Sequence, residues 1–165
     1  MINFKKLKIY FLLIFVFVNI CCVSQPCYSL SSREVFFKNA LDLSSIGKFN
    51  LALKEWNSYL DSYPNDAAGF SNRGNVRLAM GDAEGSIDDQ NQAINLNPSE
   101  IDPYINRGIA EEALGLWSKA KKDYTFVISK DSENFSALYN LANVEGSLSE
   151  WQKARDLFLK AALYN

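Results

Sequence analysis

Side chains able to titrate, attack or ligate are scarce in this sequence. It has no histidine, and its three cysteines, Cys21, Cys22 and Cys27, all lie near the N-terminus. The remainder therefore offers no Ser/His or Cys/His nucleophile pair and none of the usual zinc ligand sets. Two adjacent carboxylate pairs occur, Asp88-Asp89 and Glu111-Glu112. Neighbours on a helix point roughly 100° apart, so neither pair converges on one substrate. Both read as exposed helix surface. The stretch from Gly81 to Ser86, GDAEGS, has two glycines. No strand precedes it and no Lys-Ser/Thr follows, so it is a poor phosphate loop and a good inter-helix turn. The stretch from Asp131 to Phe135, DSENF, lacks the alternating ligands and glycine of a calcium loop. It reads as a turn with a helix N-cap. No metal or cofactor is expected, and the chain reads as non-catalytic.

The elements that position these residues repeat. Asn-Arg-Gly occurs at Asn72-Arg73-Gly74 and again 34 residues later at Asn106-Arg107-Gly108, each time two residues behind an aromatic. The same register holds Ala40, Gly74, Gly108 and Ala142. Twelve residues after each stand Ala52, Ser86, Ala120 and Ala154, and seven later Tyr59, Ala93, Val127 and Ala161. Gly47, Gly81, Gly115 and Ser149 form a fourth series, and Pro64, Pro98 and Ser132 a fifth. A fixed period of this length is the mark of a solenoid. Within the first unit, Val35, Phe36, Ala40 and Leu43 recur at helical spacing. Gly47 suits a left-handed helix end. Phe49, Ala52, Leu53, Trp56 and Leu60 form a second stripe, and Pro64 ends it. Each unit is thus helix, turn, helix, turn, with small residues where the two helices approach. Helix pairs this short must stack on their neighbours to bury their apolar stripes.

Period, helix count and the small, aromatic and proline positions resemble the tetratricopeptide repeat family, over units 33–66, 67–100, 101–134 and 135–165. The resemblance implies an all-α, right-handed superhelical solenoid of stacked antiparallel helix pairs. It also implies a protein-interaction scaffold that binds a peptide or protein segment in its concave groove. Carried over position by position, the groove residues include Phe37, Leu41, Ser71, Asn75, Leu78, Ile105, Ile109, Glu112, Tyr139 and Asn143. This lining is nearly uncharged. Family members that grip chaperone C-terminal carboxylates use Lys, Arg and Asn at set positions. Here those positions read Phe37, Leu41, Asn72, Asp102 and Asn106, or one unit on Ser71, Asn75, Asn106, Ser136 and Asn140, with no cation. Two departures stand out. Arg77, Glu111 and Glu145 replace the late aromatic of the first helix, and Gln90 stands where other units have Trp56, Tyr124 and Phe158. The second unit is therefore expected to pack imperfectly. Whether Arg73 and Arg107 pair with acids on the adjacent helix is left open.

The N-terminus belongs to another category. Lys5, Lys6 and Lys8 precede an apolar run from Ile9 to about Val23. The run is short of the ~20 residues that span a bilayer and within the range of a secretory signal. Residues 1–29 are expected to direct export to a periplasm or thylakoid lumen, with cleavage before Leu30. An uncleaved anchor over residues 9–23 is the alternative, the only membrane contact expected. A lipoprotein reading through Cys21 or Cys22 has a poor small-residue box before it. Residues 30–165, the repeat domain, hold 14 Lys and Arg against 19 Asp and Glu, a balance of −5. That disfavours nucleic acid and anionic lipid, which rely on clustered positive charge. The Asn-Arg-Gly runs also resemble repeats common in cyanobacterial and plastid proteins, some of which help assemble photosynthetic complexes. This suggests an assembly factor for a membrane-associated complex. At the other end, Phe158, Ala161, Ala162 and Leu163 leave the last helix without a polar outer face, which solenoid ends need for solubility. This edge is expected to self-associate or dock a partner, as an accessory or structural domain of an enzyme complex would, unless the natural protein is longer.

Overall fold

The computed structural model describes residues 31–164. The export segment, its cleavage point and the alternative anchor lie outside the described residues. Among the described residues there are eight α-helices and no strand. In chain order they are α1 (Ser32–Ser45), α2 (Phe49–Ser62), α3 (Ala67–Ala79), α4 (Ala83–Leu96), α5 (Asp102–Ala113), α6 (Trp117–Lys130), α7 (Phe135–Ser147) and α8 (Trp151–Ala161). None is long and apolar enough to cross a membrane.

Each helix packs on the next along the chain. The first helices of successive units, α1, α3, α5 and α7, also touch one another, whereas the second helices do not. A stack whose first helices are crowded and whose second helices are splayed curves with the first helices inside. The fold is therefore a helical solenoid with α3, α5 and α7 along its concave side.

The turn within each unit is built the same way four times. Gly47, Gly81 and Gly115 have φ of 72°, 88° and 69°. The following N–H reaches back five residues: Lys48 to the Leu43 carbonyl at 3.0 Å, Asp82 to Arg77 at 2.9 Å, Leu116 to Glu111 at 2.8 Å. This is the Schellman closure that a left-handed residue permits. In the fourth unit Ser149 takes the same conformation at φ 66°, and Glu150 closes on Glu145 at 2.8 Å. Between units, the Asp66 and Asn134 side chains cap α3 and α7, each accepting at 3.0 Å from an N–H three residues on.

The small residues sit at the helix crossings. Ala40, Gly74, Gly108 and Ala142 are buried, as are Ala52, Ser86, Ala120 and Ala154. A Cβ on Gly108 would stand 2.6 Å from the Tyr124 ring, so only glycine fits that crossing. The apolar core forms two clusters. One surrounds Trp56, Tyr59 and Val76, the other Tyr124, Val127, Leu141 and Val144. Burying each such side chain contributes about 1.5–3 kcal/mol.

The second unit differs from expectation. Gln90 is fully buried, and its amide donates to the Ser71 carbonyl at 3.0 Å and to Asn75 Oδ1 at 3.2 Å. Its amide N–H groups fill the aromatic position by hydrogen bonding, while its own Oε1 and the nearby Ser86 Oγ stay buried without a hydrogen bond, so the unit packs closely there but with unmet polar atoms. The carboxylate pairs differ too. Asp88 is exposed, but Asp89 and Glu111 are buried and Glu112 is partly so. The surface reading fails for three of the four because each faces the neighbouring helix of its own unit.

Candidate inner groove

The Asn-Arg-Gly triplets divide their tasks over three directions. Glycine makes the close crossing. Arginine turns outward, away from the groove. Arg73 donates to both Asp89 oxygens, at 2.9 and 2.6 Å, and to Asn57 Oδ1 at 3.0 Å. Arg107 repeats this 34 residues on, with Asp123 at 2.7 and 2.7 Å and Asn91 at 2.7 Å. Each guanidinium also lies 5.4 Å from the centroid of the aromatic three residues earlier, Phe70 or Tyr104. One arginine thus ties its own helix to the second helix of its unit and to the second helix of the unit before. A planar five-donor fork suits this three-way joint, which an ammonium could not reproduce. Arg77 adds to it, 3.1 Å from Asp89 and donating to the Gly85 carbonyl at 3.1 Å.

The late acids of α5 and α7 occupy the register of Arg77. Glu145 meets Lys121 at 2.8 Å. Glu111 meets no such partner among the described residues. Burial first, and then the Asp123 carboxylate, push its carboxyl up to about 7, against the pull of Arg107, Lys119 and Lys122. One oxygen of each of these two acids is buried without a hydrogen bond. At the head of the array, Asp66 accepts from Arg33 at 2.6 Å and from the Tyr59 hydroxyl. Burial alone would raise its carboxyl, but these bonds and the Gly69 N–H outweigh it and hold the group below the usual carboxylate range.

The asparagine of each triplet points the third way, into the concavity. Two adjoining hollows lie along α3, α5 and α7. The larger, of about 450 Å³, is lined by Asn75, Ile105, Ile109, Phe135, Tyr139 and Asn140, with Asp102, Asn106 and Ser136. The smaller, of about 290 Å³, is bounded among others by Ser71, Asn72, Asn75, Glu100, Asp102 and Asn106. Its amides are partly organised already, since Asn106 donates to Ser71 Oγ at 3.3 Å. The result is an apolar floor edged by carboxamides, with two carboxylates at the inter-unit turn.

Residues 105–165 match the tetratricopeptide repeat. No curated protein matches the chain in sequence. The first TPR of Spaghetti (RPAP3), solved with the HSP90 peptide SRMEEVD, is 26% identical at a TM-score of 0.68, covering 71% of this chain and 93% of its own. The second TPR domain of human RPAP3, solved with the HSP70 peptide SGPTIEEVD, is 24% identical at 0.64, covering 67% and 92%. MamA is 20% identical at 0.75, covering 82% and 80%.

Against this repeat geometry the expected groove residues separate. Ser71, Asn75, Ile105, Ile109 and Tyr139 line the hollows; Phe37, Leu41, Leu78, Glu112 and Asn143 do not. Phe37 packs edge-on against Trp56 and Tyr59 in the core. Glu112 is turned to the Tyr124 hydroxyl. Ile105 is only 9% exposed and belongs chiefly to the core, while Ile109 and Tyr139 are 39% and 45% exposed. Phe135 was missing from the expectation. It stacks on Tyr139 at 5.8 Å, a pairing foreshadowed only by their helical i, i+4 spacing. Asn72, Asn106 and Asn140 enter the sequence reading only at the carboxylate-clamp positions, though their own 34-residue period marks a shared face.

At the last helix, Phe158 is 38% exposed, where its counterparts Trp56, Gln90 and Tyr124 are fully buried. Ala161 is buried and Ala162 is exposed.

Proposed function

We propose that this chain is a non-catalytic scaffold of four tetratricopeptide units that holds an extended segment of a partner protein in the groove along α3, α5 and α7. The observation that carries the reading is the composition of that groove. Ile109, Phe135 and Tyr139 present apolar surface for a side chain, and Asn75, Asn106 and Asn140 stand beside them. A carboxamide donates and accepts at once, which is what a peptide backbone requires. Peptide complexes of the RPAP3 domains support the reading for this fold. With an exported N-terminus, the partner is a component of a membrane-associated complex whose assembly the scaffold assists.

A photoreactive benzoylphenylalanine placed at Tyr139 in the full chain, in its native host, tests this. Cross-linking from Tyr139 and not from Leu159, an exposed side chain of α8, is expected. Ile109→Asp should abolish it with the helical circular dichroism intact. Cross-linking from Leu159 alone would move the site off the groove. Ile105 is unsuitable for this test, because a charge in the core would unfold the domain.

That outcome would favour the second reading, a contact through α8 with a second copy of the chain. Its specific support is Phe158, half bare at a position fully buried in the other units. Phe158→Glu should then shift sedimentation toward monomer.

A further inference from the structure

We infer that the inner groove selects a cationic segment: an extended stretch of the partner in which lysine or arginine stands next to an apolar side chain. This rests on the groove reading above and adds the charge of the ligand to it. α3, α5 and α7 carry three arginines and no lysine, and all three arginines are turned to the outer helices, where Arg73 and Arg77 meet Asp89 and Arg107 meets Asp123. The clamps that hold the solenoid together therefore keep the arginines of α3, α5 and α7 out of the hollows between them. Glu111 and Glu145 are buried behind it. Two carboxylates are left at the hollows. Asp102 borders both, and Glu100 borders the smaller. No Lys or Arg lines either. Asp102 has no ion pair among the described residues, and Glu100 receives only a 3.3 Å bond from the Asn97 amide.

Asp102 also favours the N-terminus of α5 electrostatically, which explains an acid in the first turn. It does not explain the absence of any Lys or Arg from the lining of both hollows. The acids lie beside the apolar floor made by Ile105, Ile109 and Tyr139, so one ligand can meet both surfaces with adjacent side chains. An acidic segment meets only repulsion there and finds no cation. Charge of this kind acts mainly on encounter and on rejection of wrong partners.

Three blocked synthetic peptides of equal length test the inference. They share a central leucine flanked by lysines, by glutamines or by glutamates, and are titrated into the full chain with amide and side-chain resonances of Ile109 and Tyr139 observed. The lysine peptide should perturb these resonances and bind about five- to ten-fold more tightly than the glutamine peptide. The glutamate peptide should bind most weakly. The preference should shrink in Asp102→Asn, in Glu100→Gln and at high salt. Both variants alter exposed side chains, and an unchanged thermal melt confirms their folding. If all three peptides perturb the groove equally, the charge selection is wrong while the groove reading stands. If no peptide perturbs Ile109 or Tyr139, the groove reading falls and this inference with it.

Discussion

Glu111→Gln should stabilise the protein above neutral pH and leave it unchanged in acid. Glu111 is 6% exposed, faces the Asp123 carboxylate, and has its carboxyl raised from the usual 4.5 to about 7. The sign follows from proton counts. Between pH 4.5 and 7 the unfolded chain has released this proton and the folded chain retains it, so stability falls as pH rises through that window. Below it both states are protonated and the penalty vanishes. Above it the full penalty remains. A shift of this size corresponds to at most about 3 kcal/mol, and solvent screening moderates it to about 1–3 kcal/mol. Denaturant melts followed by circular dichroism at several pH values, for both forms, provide the measurement. The two forms should coincide near pH 4 and diverge by that amount at pH 8. Parallel stability curves across the range would refute the assignment of an unpaired acid at this position. The second unit supplies a further arm. Arg77 stands in the same register and meets Asp89 at 3.1 Å, so Glu111→Arg should copy that arrangement onto Asp123 and stabilise at least as much as glutamine.

Gly108→Ala should cost about 1–3 kcal/mol, read from thermal melts, because its Cβ would stand 2.6 Å from the buried Tyr124 ring. Gly74→Ala should cost a similar amount, since its Cβ would stand 2.7 Å from the buried Gln90 amide nitrogen that holds the bonds to Ser71 and Asn75. In a double-mutant cycle, Arg107→Met should destabilise by about 3–5 kcal/mol because it strands the buried Asp123 carboxylate, Asp123→Leu by less because Arg107 is partly exposed and keeps Asn91, and the two together by much less than the sum. Additive losses would show that the clamp is not a coupled pair. Ser149→Gly should raise stability by about 1 kcal/mol, since a serine at φ 66° carries a steric cost that glycine avoids.

The sequence alone determined the elements and their phase. Glycine at 47, 81 and 115 marks the left-handed turns because only the absence of a Cβ makes that conformation inexpensive. The same period carried the reading to Ser149, where the residue type argued against it and the backbone obeys it. Small residues at 40, 74, 108 and 142 located the helix crossings for an equally local reason, the room a backbone needs. What stayed illegible were the polar partnerships. Asp89 and Glu111 looked like surface because each was judged on its own helix. Their burial depends on the neighbouring helix, and Asp89's partner Arg73 lies 16 residues back in sequence. Composition marks Gln90 as a packing defect but does not reveal that the Ser71 carbonyl and Asn75 amide await its N–H groups while its Oε1 goes unmet. The groove shows the same division. Its asparagines are periodic and could be found by counting, but its negative character follows only from the arginines facing the other way. Apolar and small residues reveal themselves through one-dimensional spacing because burial repeats with the helix. Hydrogen bonds and ion pairs are directional contacts between particular atoms on different helices, so tertiary structure alone decides them.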